Sequence, residues 1–213
     1  MKILISLFIL LGLVFSDILV VDWELIKEQK DIKVFVRKTE GNPLKEVKIE
    51  GQVKCRMSEL VAALEDIEAQ KKWVKSTIDA KILSKEATDK FLFYMSTDFP
   101  YPVKDRDVVI SYSRSQNPQS KIVTINYEGK PEAAQEQTKF VRIPYFQASY
   151  TLKPAANGYI KLTYLLKADI GGSIPKWIVN MAITKGPMDT IESLFKLINS
   201  GYYKEAIVEG VND

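Results

Sequence analysis

Gly171-Gly172-Ser173-Ile174-Pro175-Lys176-Trp177, with the apolar run that follows it to Asn199, decides how the chain is built. Two adjacent glycines end the preceding strand pattern, because glycine has no Cβ to clash at the backbone angles of a sharp reversal. Ser173 is a candidate cap for the orphan N–H groups of a helix starting here. Pro175 suits a first-turn position, where its missing donor costs nothing. Ile174, Trp177, Ile178, Met181, Ala182, Met188, Ile191, Leu194, Phe195 and Ile198 recur at three-and-four spacing, which predicts a long amphipathic C-terminal helix. Burying its broad apolar stripe contributes roughly 1.5–3 kcal/mol per large side chain, so a concave apolar surface has to face it. Gly186-Pro187 falls inside this helix, where proline removes a ladder bond and clashes with the preceding turn at a cost of ~3 kcal/mol. A bend or weak point near residues 182–185 is expected. Two readings stand at this point: a core helix with a tolerated kink, and a lid over a ligand cavity.

The rest of the composition bounds the function. The chain has 213 residues, 46% of them apolar and 27% charged, which suits one globular domain with a sizeable core. Its net charge of +3 comes from lysines scattered among acids, with no basic stripe of the kind nucleic acid requires. There is no histidine, which excludes Ser-His-Asp triads, histidine bases and nearly all zinc enzymes with the usual ligand sets. Cys55, between Lys54 and Arg56, is the only cysteine. It forms no intramolecular disulfide and lacks a partner base for thiolate catalysis, so it reads as a quiet strand-end thiol. No metal or cofactor is expected.

The N-terminus reads as a targeting segment. Lys2 precedes an apolar core over residues 3–15, and Val14-Phe15-Ser16 offers small residues at the two specificity positions of a signal peptidase. A signal peptide over residues 1–16 is expected, hence export to the periplasm or outside the cell. The alternative, an anchor running to Val21, is interrupted by Asp17 and is shorter than a span of ~20 residues.

Residues 22–27 look like a short helix capped by Asp22 and anchored by Trp23. Strict alternation then predicts strands over residues 32–37 and, after the turn Gly41-Asn42-Pro43, around Val47, Ile49 and Val53. Such alternation implies an antiparallel sheet with one buried face. Ser58 is an N-cap candidate for a helix over 59–69, and Lys71-Lys72-Trp73 closes that helical region. Further strands are expected at 78–83, 91–97, 107–113, 122–127, 141–152 and 159–169, with turns at 86–89 and 117–120. Ala155-Ala156-Asn157-Gly158 is a hairpin signal. Residues 129–139 form a loop with a helical piece. Only a strongly curved sheet can cover the last helix, leaving a wedge of ~300–1,000 Å³ between them.

Asp98-Phe99-Pro100-Tyr101-Pro102-Val103-Lys104-Asp105-Arg106-Asp107-Val108-Val109 resembles the signature of StAR-related lipid-transfer (START) domains, a Pro-rich loop ending in an Arg-Asp pair that opens a strand. Trp23-Glu24-Leu25-Ile26 with Ile32-Lys33-Val34-Phe35-Val36-Arg37 is similar to that family's N-terminus. Trp73, the stretch from Gly171 to Asn180, and Pro187 look like its further landmarks. The resemblance spans about residues 22–199. It implies an α+β helix-grip fold, a curved antiparallel sheet wrapped around the long C-terminal helix with an internal hydrophobic cavity. It further implies one bound lipid, such as a sterol, a phospholipid or a ceramide, and carriage or sensing rather than chemistry. Some members place a further arginine in the strand after the Arg-Asp pair; here the position is taken by residues 108–113 with Tyr112, and the next arginine is Arg114.

The candidate ligand-binding residues are Tyr94, Arg106, Tyr112, Tyr127, Tyr150, Tyr164, Trp177, Met181 and Met188. Each tyrosine pairs an apolar ring with one hydrogen-bonding tip, suited to an apolar ligand bearing a hydroxyl or ester. A one-residue register error would turn any of them to the other sheet face, and about half are expected to line a cavity. Arg106 has two readings, a bidentate pair with a neighbouring aspartate locking the loop to the sheet and, less favoured, a ligand contact. Met181 and Met188 suit either an adaptable lid surface or plain core. The lid is expected to open at Gly186-Pro187 and at a facing loop near 129–139.

The domain layout expected is a lipid-binding unit over residues 17–200 and a C-terminal tail over 201–213, in a monomer that touches membranes transiently. The competing function is a helix-grip enzyme of cyclase or hydratase type. It would need acid and base groups such as Asp98, Asp105, Arg106 or a tyrosine pair to converge in the cavity, above all an isolated carboxylate buried there. A third reading, an interaction module using Tyr202, Tyr203, Ile207 and Val208, fits poorly because the tail is acidic at its end.

Overall fold

The computed structural model describes residues 22–39 and 42–213. The expected signal peptide, and Gly41 of the expected turn, lie outside those residues. In chain order the elements are β1 (Glu24–Gln29), β2 (Ile32–Thr39), β3 (Asn42–Lys54), α1 (Met57–Glu65), α2 (Gln70–Trp73), β4 (Thr77–Ala87), β5 (Lys90–Thr97), β6 (Arg106–Gln116), β7 (Val123–Gly129), β8 (Val141–Arg142), β9 (Tyr145–Pro154), β10 (Tyr159–Asp169) and α3 (Lys176–Asn199). They form one ten-stranded sheet in the order β1-β2-β3-β10-β9-β7-β6-β5-β4. Neighbours along it run antiparallel, and β8 alone pairs in parallel, at the start of β6.

Alternation puts Val47, Ile49 and Val53 of β3, Leu152 of β9 and Ile160 and Leu162 of β10 on the concave face. The C-terminal half of α3 fills that face with Met188, Ile191, Leu194, Phe195 and Ile198, all buried. Approach is closest at Gly51 in mid β3, where an added Cβ would lie 2.9 Å from the Phe195 ring. The α+β architecture, a curved antiparallel sheet around a long terminal helix, is the expected one.

Several local expectations are corrected. Residues 24–29 are an edge strand, not a helix: the turn at Lys30-Asp31, with Lys30 at φ 53°, folds them onto β2. An isolated helix of that length is marginal in water, so the hairpin ladder wins. Trp23 sits instead under two cations, Arg37 at 4.5 Å and Lys48 at 5.2 Å from its ring centroid. The expected strand 141–152 is broken by Pro144, which has no N–H to give a ladder. Its first two residues pair with β6 and the remainder with β7 and β10. Pro175, not Ser173, is the N-cap of α3, and the helix runs unbroken through Pro187.

Ser58 lies within the first turn of α1, whose N-cap is Arg56. The Asp213 carboxylate accepts from the Ser58 N–H at 2.8 Å and from its hydroxyl at 2.9 Å, satisfying a donor that a helix start leaves orphaned. Residues 201–213 therefore pack on the domain: Tyr203 donates to Asp66 at 2.9 Å, and Arg114 Nη2 to the Glu209 carbonyl at 2.9 Å. Cys55 is quiet beneath them, its thiol pushed up to about 12 by burial and by Glu59 and Asp213, against the pull of Arg56.

The connection 130–142 lies against the opposite side of β5 and β6 from α3, with Gln137 on Tyr94 and Arg142 on Asp107. Arg142 fixes it, forming a bidentate pair with Asp107 at 2.8 and 3.0 Å while its other donors reach the carbonyls of Pro131, Ala134 and Gln135. Both side chains are almost wholly buried, and the Asp107 hydrogen bonds hold the Arg142 pKa above its usual value. Removing one partner of such a pair strands a buried charge. Asp107→Ala is expected to cost about 3–5 kcal/mol of stability, read from urea unfolding; a loss below about 1 kcal/mol would show that the pair does not hold this segment.

Candidate functional site

Where α3 stops filling the concave face, a cavity of about 410 Å³ opens between helix and sheet, within the range of small-molecule sites. Its walls are the inward faces of five strands: Phe93 and Met95, Val108 and Ile110, Tyr127, Phe146 and Tyr150, Tyr164 and Leu166. Trp73, the last residue of α2, closes one side, and Met181, Gly186 and Pro187 of α3 form the roof. Apart from the tyrosines, the charged and hydroxylic lining residues, Lys75, Ser76, Thr97, Asp98, Lys185, Asp189 and Thr190, are exposed or half-buried and form the rim. The backbone N–H of Lys75 meets the Thr190 hydroxyl at 3.4 Å across it.

An aromatic ladder crosses the sheet at the inner end. Phe91 stacks on Tyr112 at 4.2 Å, Tyr112 meets Tyr127 edge-on at 5.5 Å, Tyr127 meets Tyr150 at 5.8 Å, and Tyr150 stacks on Tyr164 at 4.5 Å. Register explains it: Phe91 faces Tyr112, Tyr112 faces Tyr127 and Tyr150 faces Tyr164 on adjacent strands. Cross-strand aromatic pairs of this kind favour the register that makes them. Burial drives the Tyr127, Tyr150 and Tyr164 pKa values upward, so all three phenols are neutral at physiological pH.

Of the nine candidate residues, Tyr127, Tyr150, Tyr164 and Met181 line the cavity. Tyr94 has the opposite strand parity from Phe93 and Met95; its hydroxyl accepts from Gln137 Nε2 at 3.0 Å on the outer side. Tyr112 points inward but lies beyond the cavity's inner end, donating to Glu65 at 2.7 Å, with Arg114 Nε on the same carboxylate oxygen at 2.7 Å. Met188 is buried core below the roof, and Trp177 is 55% exposed on the far side of the helix. The facing loop is not 129–139, which contributes no lining residue; Asp98 and Phe99 stand at the rim instead. Trp73 and the apolar wall residues are lining that the sequence reading does not include; Val108 and Ile110 carry a signal, two-residue spacing from the inward Tyr112 on the same strand, whereas on β5 the candidate Tyr94 has the outward parity and gives none.

Arg106 is off the cavity, and neither aspartate beside it is its hydrogen-bond partner. Asp107 belongs to Arg142, and Asp105 accepts from the Phe99 N–H at 3.0 Å. Arg106, 2% exposed, spends its donors on carbonyls: Ile170 at 3.1 Å, Gly171 at 2.9 Å, and Lys104. Its guanidinium also lies 5.0 Å from the Phe99 ring centroid. The loop 98–105 is thereby tied to the turn in which Gly171 and Gly172 take φ 66° and 74° just before α3. Burial lowers the Arg106 pKa, opposed by Asp105.

For chemistry the site offers little. The lining carboxylates, Asp98 and Asp189, are both at the rim, and Glu65, the one nearest the inner end, is paired with Arg114. Among the described residues no group of three or more Cys, Asp or Glu side chains is placed to share a metal ion.

Comparison with known proteins agrees with this architecture. Residues 20–200 match the START domain family. An uncharacterised protein of Pseudomonas aeruginosa is 27% identical over 173 residues, covering 81% of this chain and 85% of that one. START domain-containing protein 10 of Homo sapiens is 29% identical over 168 residues, 75% of this chain and 55% of that protein's length. The crystal structure of a STAR-related lipid transfer protein fragment from Xanthomonas axonopodis has a TM-score of 0.76 and 30% identity, over 83% of this chain and 98% of that one. With its sheet gripping α3 over an apolar cavity, the chain belongs to the START domain family.

Proposed function

We propose that this protein binds a single hydrophobic lipid in the cavity under α3 and carries or presents it chemically unchanged. The observation that carries this reading is the cavity itself, an apolar chamber of about 410 Å³ whose charged residues are confined to the rim. Burying a lipid's hydrocarbon there gains roughly 25 cal/mol per Å² of apolar surface. The Xanthomonas relative, described as a lipid transfer protein, supports the same reading. A cyclase- or hydratase-type enzyme would require a catalytic group aimed at the substrate, and the inner cavity supplies only neutral phenols.

The lid is the N-terminal half of α3. Met181, Gly186 and Pro187 roof the cavity, whereas Met188, Ile191, Leu194, Phe195 and Ile198 are seated in the core. Opening therefore uses the glycine turn at 171–172 and the weak point at Pro187, where the helix lacks a ladder bond. Tyr101 in the rim loop is 94% exposed, and Trp177 also faces outward. Aromatic side chains of this kind settle at the membrane–water boundary, so this end of the molecule makes a transient membrane contact. Among the described residues no helix is long and apolar enough to cross a membrane. The working unit is a monomer over residues 17–200 with the tail 201–213 packed on it, exported by residues 1–16 to the periplasm or beyond.

Mass spectrometry of organic extracts from the purified protein should return one lipid per chain; an empty protein that takes up nothing from a mixed lipid panel would refute the carrier reading. Pro187→Ala restores the missing ladder bond and is expected to slow lipid release about tenfold, the effect of some 1.4 kcal/mol on the opening barrier. An unchanged rate in stopped-flow transfer assays would rule Pro187 out as a hinge. Replacing Tyr101 and Trp177 together by serine should weaken cosedimentation with vesicles severalfold, and equal cosedimentation would place the membrane contact elsewhere.

A further inference from the structure

Three tyrosine hydroxyls set the ligand's chemistry more narrowly than the fold does. Tyr127, Tyr150 and Tyr164 line the cavity, and among the described residues none of their hydroxyls has a hydrogen-bond partner. They mark its inner end: two residues further along the same strand faces, Ile125, Leu152 and Leu162 are at most 1% exposed and close the space. Among the described residues lining the cavity, Trp73 Nε1 is the polar atom that is both fully buried and unpartnered; the three hydroxyls open onto the cavity, where a ligand's oxygen can serve as the partner such groups ordinarily find. Here the groups share one end of the chamber, where no charged side chain is part of the lining; Glu65 lies beyond it, already paired with Arg114.

Size adds a second limit. At about 410 Å³ the cavity lies near the small end of the ~300–1,000 Å³ of small-molecule sites, which favours one hydrocarbon chain with a small polar group over the two chains and large headgroup of a diacyl phospholipid.

Resting on the lipid-carrier reading, we infer that the ligand is an uncharged single-chain lipid. It enters polar end first, so that its hydroxyl or carbonyl oxygen meets the Tyr127, Tyr150 and Tyr164 hydroxyls and its hydrocarbon lies under Met181 and Pro187. A carboxylate in the same place would lose its hydration with no cation beside it; the lysines of the site, Lys75 and Lys185, are at the opposite end, on the rim.

The test is native mass spectrometry of delipidated full-length protein with 1-hexadecanol, hexadecanoate at pH 8, cholesterol and dioleoylphosphatidylcholine. One hexadecanol per chain is expected, with hexadecanoate bound at least tenfold more weakly and the two larger lipids weaker still. The variant Tyr127→Phe/Tyr150→Phe/Tyr164→Phe, its fold checked by circular dichroism, should lose about tenfold for hexadecanol and keep its affinity for hexadecane. Tighter binding of hexadecanoate, cholesterol or the phospholipid, or an unchanged affinity of the triple variant for hexadecanol, would overturn the inference and leave lipid carriage standing. Failure to take up any of the four would remove both.

Discussion

The seating of α3 in the concave face of the sheet is the contact from which the rest of the molecule follows. Its C-terminal half is held by ordinary core packing, tight enough that a Cβ at position 51 would meet the Phe195 ring at 2.9 Å and force it to shift. A rigid helix pinned at one end and following a curved sheet diverges from it at the other, and the space so left is the cavity. Ten strands paired in one sheet supply the curvature, because right-handed twist accumulates across a sheet of that width. Pro187 lies where the filled half gives way to the roof. One helix thus serves as core and as cover, with the change of role falling at its weakest backbone position.

The entrance is organised by a cation whose hydrogen bonds go to backbone carbonyls. Arg106 takes oxygens from the rim loop and from the turn before α3, joining the two pieces of backbone that have to part if the lid lifts. A buried guanidinium carries a large desolvation cost, offset here by three carbonyl dipoles and an aromatic face. On the other side of β6, Arg142 and Asp107 hold the long connection away from the entrance. Adjacent residues of the Arg-Asp pair point to opposite faces of the strand and so fix two different loops.

Much of the fold is legible in residue order because its signals are periodic. Alternation at Val47, Ile49 and Val53 and the three-and-four spacing after Trp177 each describe one buried face. The cavity is less legible. Tyr94 and Tyr127 look alike in sequence, yet strand parity turns one outward to Gln137 and the other inward. Tyr112 has the right parity but lies too far along its strand, a matter of depth that periodicity does not encode. Met181 and Met188 share a helix face, and only where the sheet curves away decides which one meets the cavity. Residues 22–27 read as a short helix in isolation, yet edge pairing with β2, a tertiary contact, outweighs local preference and makes 24–29 a strand. The partner of Asp107, 35 residues away at Arg142, has no local signal at all.

In this START domain the proposed lid, the rim loop and the glycine turn would move as one mechanical unit, while residues 201–213 pack on the far end. The most direct test of that account is hydrogen exchange of the delipidated protein with and without a bound lipid. Binding beneath the N-terminal half of α3 should slow exchange at residues 98–105 and 171–187 and leave 188–213 unchanged. Protection spread evenly over α3, or confined to the tail and α1, would contradict it.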